Sequence, residues 1–249
     1  MSTETQTKSK KEEKTADDLM PLFNVGAHYT HTKSKRHPSA KPFIFGMKNK
    51  IEIFDLEKTD EMLNESLDVM EEYGRKGKKI LFVSSKMEAL ESIKKAADSI
   101  EMPYVAGRWI GGTLTNHNEI KKRLERLVEI EAQQDKGELS KYTKKERLMI
   151  DREREKLESR FSGLRRLNSM PDLVFIVDVG KEKIAFNEIL TLNIPIMSLS
   201  GSDCDFSKIT YSIPANDSSK ASINYFVSVL ADAYKKGQSE GEREVKKTE

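Results

Sequence analysis

Residues 79–85 read Lys-Ile-Leu-Phe-Val-Ser-Ser, a continuous apolar run of strand length closed by small polar residues. A strand exposed on one face alternates polar and apolar side chains, whereas an unbroken run suits a parallel strand covered by helices on both faces. Met87, Leu90, Ile93 and Ala97 follow at helical spacing. The same alternation returns downstream, with a strand over 173–177, a helix over 184–192, a strand over 194–199 and a helix over 221–234. Strands alternating with helices predict an open parallel sheet with right-handed crossovers. The fold class is therefore α/β, a Rossmann-like (flavodoxin-like) parallel sheet.

Upstream, Ile51, Ile53 and Phe54 suggest a short strand, and Thr59 with Asp60 is positioned to cap a helix carrying Met62, Leu63, Leu67 and Met70. Residues 28–50 contain no acid but hold Lys33, Lys35, Arg36, Lys41, Lys48 and Lys50, and Pro38 and Pro42 interrupt any helix. The segment reads as a basic surface loop. Residues 116–164 break the α/β rhythm: between Thr115 and Arg166 there are 15 Lys and Arg against 11 Asp and Glu, with no strand candidate. Ile120, Leu124 and Leu127 stripe one helix, and Ile150, Leu157, Phe161 and Leu164 stripe another, with Gly137 between them. Asn116 with Glu119, and Thr143 with Glu146, have capping-box spacing. The pattern predicts an inserted antiparallel coiled-coil helical hairpin whose thin apolar seams mostly face each other.

The expected organisation is an N-terminal tail over 1–18, an α/β domain split between 19–115 and 165–235, the hairpin over 116–164, and a second tail over 236–249. Both tails are poor in large apolar side chains and read as disordered. The chain has 249 residues and a net charge of +2, so the placement of cations matters more than their sum. Charged residues make up 34% of it, against roughly 25% in an average globular protein. One cysteine, Cys204, excludes an intrachain disulfide. No apolar run approaches the roughly 18 residues of a membrane span, and no signal core opens the chain. A cytoplasmic protein without a membrane anchor is expected.

A nucleotide enzyme on such a sheet would carry a glycine-rich turn after an early strand. Here Ser84, Ser85 and Lys86 follow the 80–83 run, and no such motif occurs elsewhere. Gly111 and Gly112, in AGRWIGGTLTN (106–116), suit a turn leading into the hairpin; the alternative is backbone approach to a phosphate, helped by the Arg108 fork. Trp109 is expected to pack. His28, His31 and His37 lie close in sequence, but no acid or cysteine accompanies them within 28–50, so a cation-rich RNA-facing segment fits better than a metal site. Asp178, Asp203 and Asp205 follow strand ends without an acid–base partner and read as loop and helix caps. No catalytic residue, cofactor or metal is expected.

Taken in order, the motifs resemble a known family. VGAHYTHTKSKRHP (25–38) and KPFIFGMKNKIEIFDLEKT (41–59) look like the opening signature of the bacterial second small-subunit ribosomal protein family. AGRWIGGTLTN is similar to its most recognisable block, and TKKERLMIDREREKLE (143–158) resembles the second arm of its helical hairpin. PDLVFIVDVGKEKIAFNEILTLNIPIMSLSGSDCD (171–205) and YSIPANDSSKASINYFVSVLADA (211–233) resemble its closing half. The pattern departs at Thr30, Arg36, His37 and Ser84, where the family usually has glycine, tryptophan, asparagine and glycine. The resemblance implies a non-enzymatic constituent of the small ribosomal subunit, joining late in assembly near the messenger exit side. The implied partners are small-subunit rRNA and neighbouring small-subunit proteins, among them the large first protein where one exists. Lys33, Lys35, Arg36, Lys41, Lys48, Arg108, Lys121 and Lys122 are the candidate rRNA-binding residues.

Overall fold

Five parallel strands form the body: β4 (Ile80–Ser84), β5 (Tyr104–Ala106), β6 (Leu173–Val177), β7 (Ile196–Ser200) and β8 (Tyr211–Pro214). They lie in the order β5-β4-β6-β7-β8, the 2-1-3-4-5 order of flavodoxin-type sheets. Every residue of β4, β6 and β7 is buried, as an unbroken apolar run requires when helices cover both faces. The computed structural model describes residues 19–248, with side chains described to Arg243. The expectation for residues 1–18 lies outside that range.

One face of the sheet, through Phe82, Phe175 and Leu199, packs against α2 (Leu56–Arg75), α3 (Met87–Ser99) and α7 (Lys220–Thr248). The other, through Leu81, Val174 and Ile176, packs against α4 (His117–Asp135), α5 (Lys144–Phe161) and α6 (Lys183–Thr191). Ile120, Leu127, Ile130, Leu157 and Phe161 thus belong to the same buried cluster as the sheet. Helices α4 and α5 contact each other, and their apolar stripes also reach the buried cluster on this face of the sheet. Thr143 and Glu146 form the expected capping box at the start of α5, while the Asn116 side chain makes no cap bond. No helix among the described residues is long and apolar enough to cross a membrane.

Three sequence expectations are corrected. Residues 28–50 are not simply a loop: β1 (Tyr29–Thr32) and β2 (Ile44–Lys48) flank β3 (Ile51–Phe54) in a three-stranded antiparallel sheet, joined by short 3-10 turns. Backbone pairing supplies the order that composition concealed. Helix α2 starts earlier than Thr59, because Asp55 caps it by accepting from the Glu57 amide at 3.2 Å. The Thr59 hydroxyl instead donates to the Pro214 carbonyl at 2.7 Å, joining α2 to β8.

The third correction concerns residues 236–249, expected as a solvated tail. Helix α7 continues to Thr248 and lies along α2. Glycines let the two backbones approach: a Cβ on Gly237 would overlap the Glu71 carbonyl, and one on Gly74 would overlap the Tyr234 carbonyl. Lys236–Glu71 at 2.9 Å and Arg75–Glu240 at 3.0 Å border the seam. Gly237→Ala should therefore lower stability by about 1–3 kcal/mol, the ordinary cost of forcing volume into a packed contact, although alanine has the better helix propensity. Urea unfolding monitored by circular dichroism reads this out; a more stable variant would refute the close-packed seam.

Candidate nucleic-acid interface

In an open α/β sheet a ligand sits beyond the carboxyl ends of the strands, where the strand order reverses. Here that place lies between β4 and β6, and the protein fills it with its own charges. The Lys86 ammonium is 2.7 Å from Asp178, 3.2 Å from the Asp217 carboxylate, and donates to the Asp217 carbonyl at 2.8 Å. All three residues are buried. Burial works against charge on Lys86, but Asp217 and Asp178 outweigh it and raise its pKa, so the ammonium persists. Burial pushes the Asp217 carboxyl up, opposed by Lys86. Asp178, Cys204 and Asp217 stand close enough together to suggest a metal site. An ammonium already sits between the two carboxylates, and burial with the nearby Asp178 holds the Cys204 thiol protonated by raising its pKa far above the ordinary value.

The AGRWIGGTLTN loop closes a second opening. Its donors converge on one carboxylate, Glu188 of α6, from Trp109 Nε1 at 3.0 Å, Gly112 N at 3.1 Å, Leu114 N at 2.8 Å, Thr115 N at 2.8 Å and Thr115 Oγ1 at 3.0 Å. Gly112 takes φ +88°, a left-handed conformation that costs glycine least. The amides that could have cradled a phosphate thus hold a side chain. Trp109 is buried, as expected from the sequence, while Arg108 beside it is exposed. Burial alone would push the Glu188 carboxyl up; the donors from Thr115, Trp109, Leu114 and Gly112 together bring its pKa below the ordinary glutamate value.

What remains open is the rim. The segment after α1 (Met20–Asn24) is strapped over the ends of β7 and β8. Asn216 N donates to Ala27 O at 2.9 Å, Ser202 N to Thr30 Oγ1 at 3.0 Å, His37 N to Ser202 O at 2.8 Å, and Phe206 N to Ser39 Oγ at 3.0 Å. Lys33 and Lys35 are thereby placed beside the 201–207 loop, at the same end of the sheet from which Arg108 leaves β5. Lys33, Lys35, Lys41, Lys48, Arg108 and Lys121 are exposed and form no ion pair among the described residues. Two candidates differ. Arg36 pairs with buried Glu52 at 2.7 Å, and Lys122 pairs with exposed Glu119 at 2.6 Å.

The histidines do not converge. His28 stacks on Phe23 with ring centroids 4.7 Å apart, and burial with Lys48 lowers its pKa. His31 lies 3.6 Å from Asp203, and His37 lies 3.8 Å from Asp205. Asp205 accepts from the Ser207 amide at 3.1 Å, the capping role expected of it. Asp178 accepts from the Lys181 amide at 2.9 Å but also holds the Lys86 ammonium, and Asp203 faces His31 and the Cys204 thiol instead. Lys181, Lys183 and Lys208 are further exposed cations just past β6 and β7 that the sequence analysis did not single out. Their position after strand ends was the available signal.

The family model described as Ribosomal protein S2 matches residues 22–237. The chain belongs to the ribosomal protein S2 family. The small ribosomal subunit protein uS2 of Helicobacter hepaticus is 38% identical over 226 residues, covering 91% of this chain and 86% of that protein. The protein of the same name from a Nitratiruptor species is 40% identical over 227 residues, covering 91% and 85%. The ribosomal protein S2 family is structural and non-enzymatic.

Three outcomes are expected. Glu188→Ala should cost about 3 kcal/mol in chemical denaturation, because it leaves buried donors such as Trp109 Nε1 and the Leu114 amide unpaired. The wild-type contribution is present above the unfolded carboxyl's pKa, near 4.5, and is lost as pH falls through the lower folded value, so Glu188→Gln should flatten the acid limb of stability against pH. An unchanged limb would remove Glu188 from this role. The filled crevice further predicts no one-to-one binding of ATP, GTP or NAD tighter than roughly 10 μM in isothermal titration.

Proposed function

We propose that this protein is a structural constituent of the small ribosomal subunit, held there by phosphate contacts from the cations at the carboxyl end of its sheet and at the base of α4. The observation that carries the reading is the set of exposed cations without ion pairs among the described residues, Lys33, Lys35, Lys41, Lys48, Arg108 and Lys121, on a body whose crevice is internally filled. Cations without partner acids are free to displace counterions from an RNA backbone, and each adds affinity that falls with salt. The named relatives are small ribosomal subunit proteins, which supports the same partner. Lys122, paired only to an exposed glutamate, can exchange that contact for a phosphate at little cost.

The proposed partners are small-subunit rRNA and adjacent small-subunit proteins, including the large first protein where one exists. The protein acts ribosome-bound in the cytoplasm, joins late in assembly, and carries α4 and α5 as a coiled-coil hairpin beyond the sheet. Phosphate contacts position without reading sequence, so shape and fit supply the selectivity. Sucrose-gradient fractionation with mass spectrometry should find the protein with small subunits. In a filter-binding salt series on small-subunit rRNA, Lys33→Ala with Lys35→Ala and Lys41→Ala should reduce the log–log salt slope by about 0.7–0.9 for each lysine that neutralises a phosphate. A wild-type slope in the triple variant would exclude this segment from the interface.

A further inference from the structure

Arg36 closes the 3-10 turn over Lys33–Lys35, and its guanidinium points back into the protein. Its partner Glu52 lies in β3, the central strand of the antiparallel sheet, and is only 3% exposed. Glu52 Oε1 receives Arg36 Nη1 at 2.7 Å, while Glu52 Oε2 is buried without a hydrogen-bond partner. A buried carboxylate so short of donors depends on its one cation, because removing either member strands the other. The turn has few other supports. The pairing of β1 with β3 shifts register between Tyr29 and Thr32, so the ladder loosens just before it. Beyond it, the next backbone anchor is His37 N on Ser202 O at 2.8 Å. Between those points the Arg36–Glu52 pair ties the turn to the sheet, with Lys33 and Lys35 exposed on either side of Ser34.

We propose that Arg36 is a positioning residue: it takes no phosphate itself, and through Glu52 it fixes the turn that presents Lys33 and Lys35 to the RNA backbone. This rests on the rRNA-binding reading above. The pair satisfies Glu52 and removes Arg36 from competition for phosphate, leaving two exposed lysines as the turn's electrostatic contribution. The two roles predict different behaviour when both members are removed together. A phosphate ligand cannot be rescued by deleting its intramolecular partner, whereas a strut can be replaced by an apolar pair of similar volume, since exchanging a buried ion pair for hydrophobic side chains is often neutral or stabilising.

The experiment uses the full chain and purified small-subunit rRNA in a filter-binding salt series, with Arg36→Lys, Arg36→Met, and Arg36→Met combined with Glu52→Met. Arg36→Met alone should weaken binding about tenfold and speed hydrogen exchange at the Arg36 and His37 amides. Arg36→Lys keeps the pair and should stay near wild type in both. The double variant should recover binding to within about threefold, with the wild-type salt slope. A double variant that stays weak, with its slope reduced by the roughly 0.7–0.9 of one phosphate contact, would make Arg36 an RNA ligand and overturn the proposal. So would unchanged exchange and affinity in Arg36→Met. If the double variant misfolds, the contrast between Arg36→Lys and Arg36→Met in exchange and affinity decides. Wild-type protein showing no salt-dependent binding would overturn the rRNA reading itself, a result distinct from every variant outcome.

Discussion

The convergence of loop donors on Glu188 is the contact on which the arrangement of this protein turns. It joins the AGRWIGGTLTN block to α6, and so fixes where α4 begins relative to the sheet. The base of α4 then buries Ile120 and Leu127 against the sheet face, and α5 follows by packing Leu157 and Phe161 into the same cluster. A single carboxylate thus orients the whole excursion from α4 through α5. It also uses up the amides that, in a nucleotide-binding relative of this architecture, would face a ligand. The Lys86–Asp178–Asp217 cluster does the same at the switch point. The fold keeps the geometry of a ligand-binding sheet while its polar groups satisfy one another.

On the proposed reading, that closure leaves binding to the periphery. Phosphate contacts would then come from cations not already engaged by acids, among them Lys33 and Lys35 on the strap, Arg108 after β5 and Lys121 at the start of α4. Exposed Lys–Glu pairs such as Lys122–Glu119 contribute little to stability and yield easily to a polyanion. A buried pair such as Arg36–Glu52 does not, because separation would leave Glu52 uncompensated. On that reading, burial of the partner, more than the number of cations, sorts the proposed contact residues from the proposed strut.

The sequence disclosed those features that rest on local pattern. Residues 80–84, 173–177 and 196–200 announced themselves because double-sided burial demands an unbroken apolar run. The Thr143–Glu146 box was legible because both its bonds lie within one turn. Strand β5 has three residues and β8 ends in a proline on a sheet edge, so neither carries a recognisable period. Strands β1 and β2 were hidden among lysines and prolines, since their order comes from pairing with β3. The candidate cations could be read off the chain. That Arg36 is held in an ion pair could not, because Glu52 lies sixteen residues away and its burial is a tertiary fact. The polar composition of 236–248 suggested a tail because glycine seams bury backbone instead of large side chains.

The glycine seam between α2 and α7 also sets a timetable. Helix α2 is made early, but Gly74 waits for Tyr234 and Glu71 for Gly237, far along the polypeptide. The strap at 26–37 likewise waits for Asn216 and Ser202. During vectorial synthesis neither can close until the residues it pairs with have cleared the exit tunnel. The basic segment therefore acquires its folded geometry only late in synthesis, so a truncated nascent chain carries Lys33 and Lys35 without the anchors of the strap.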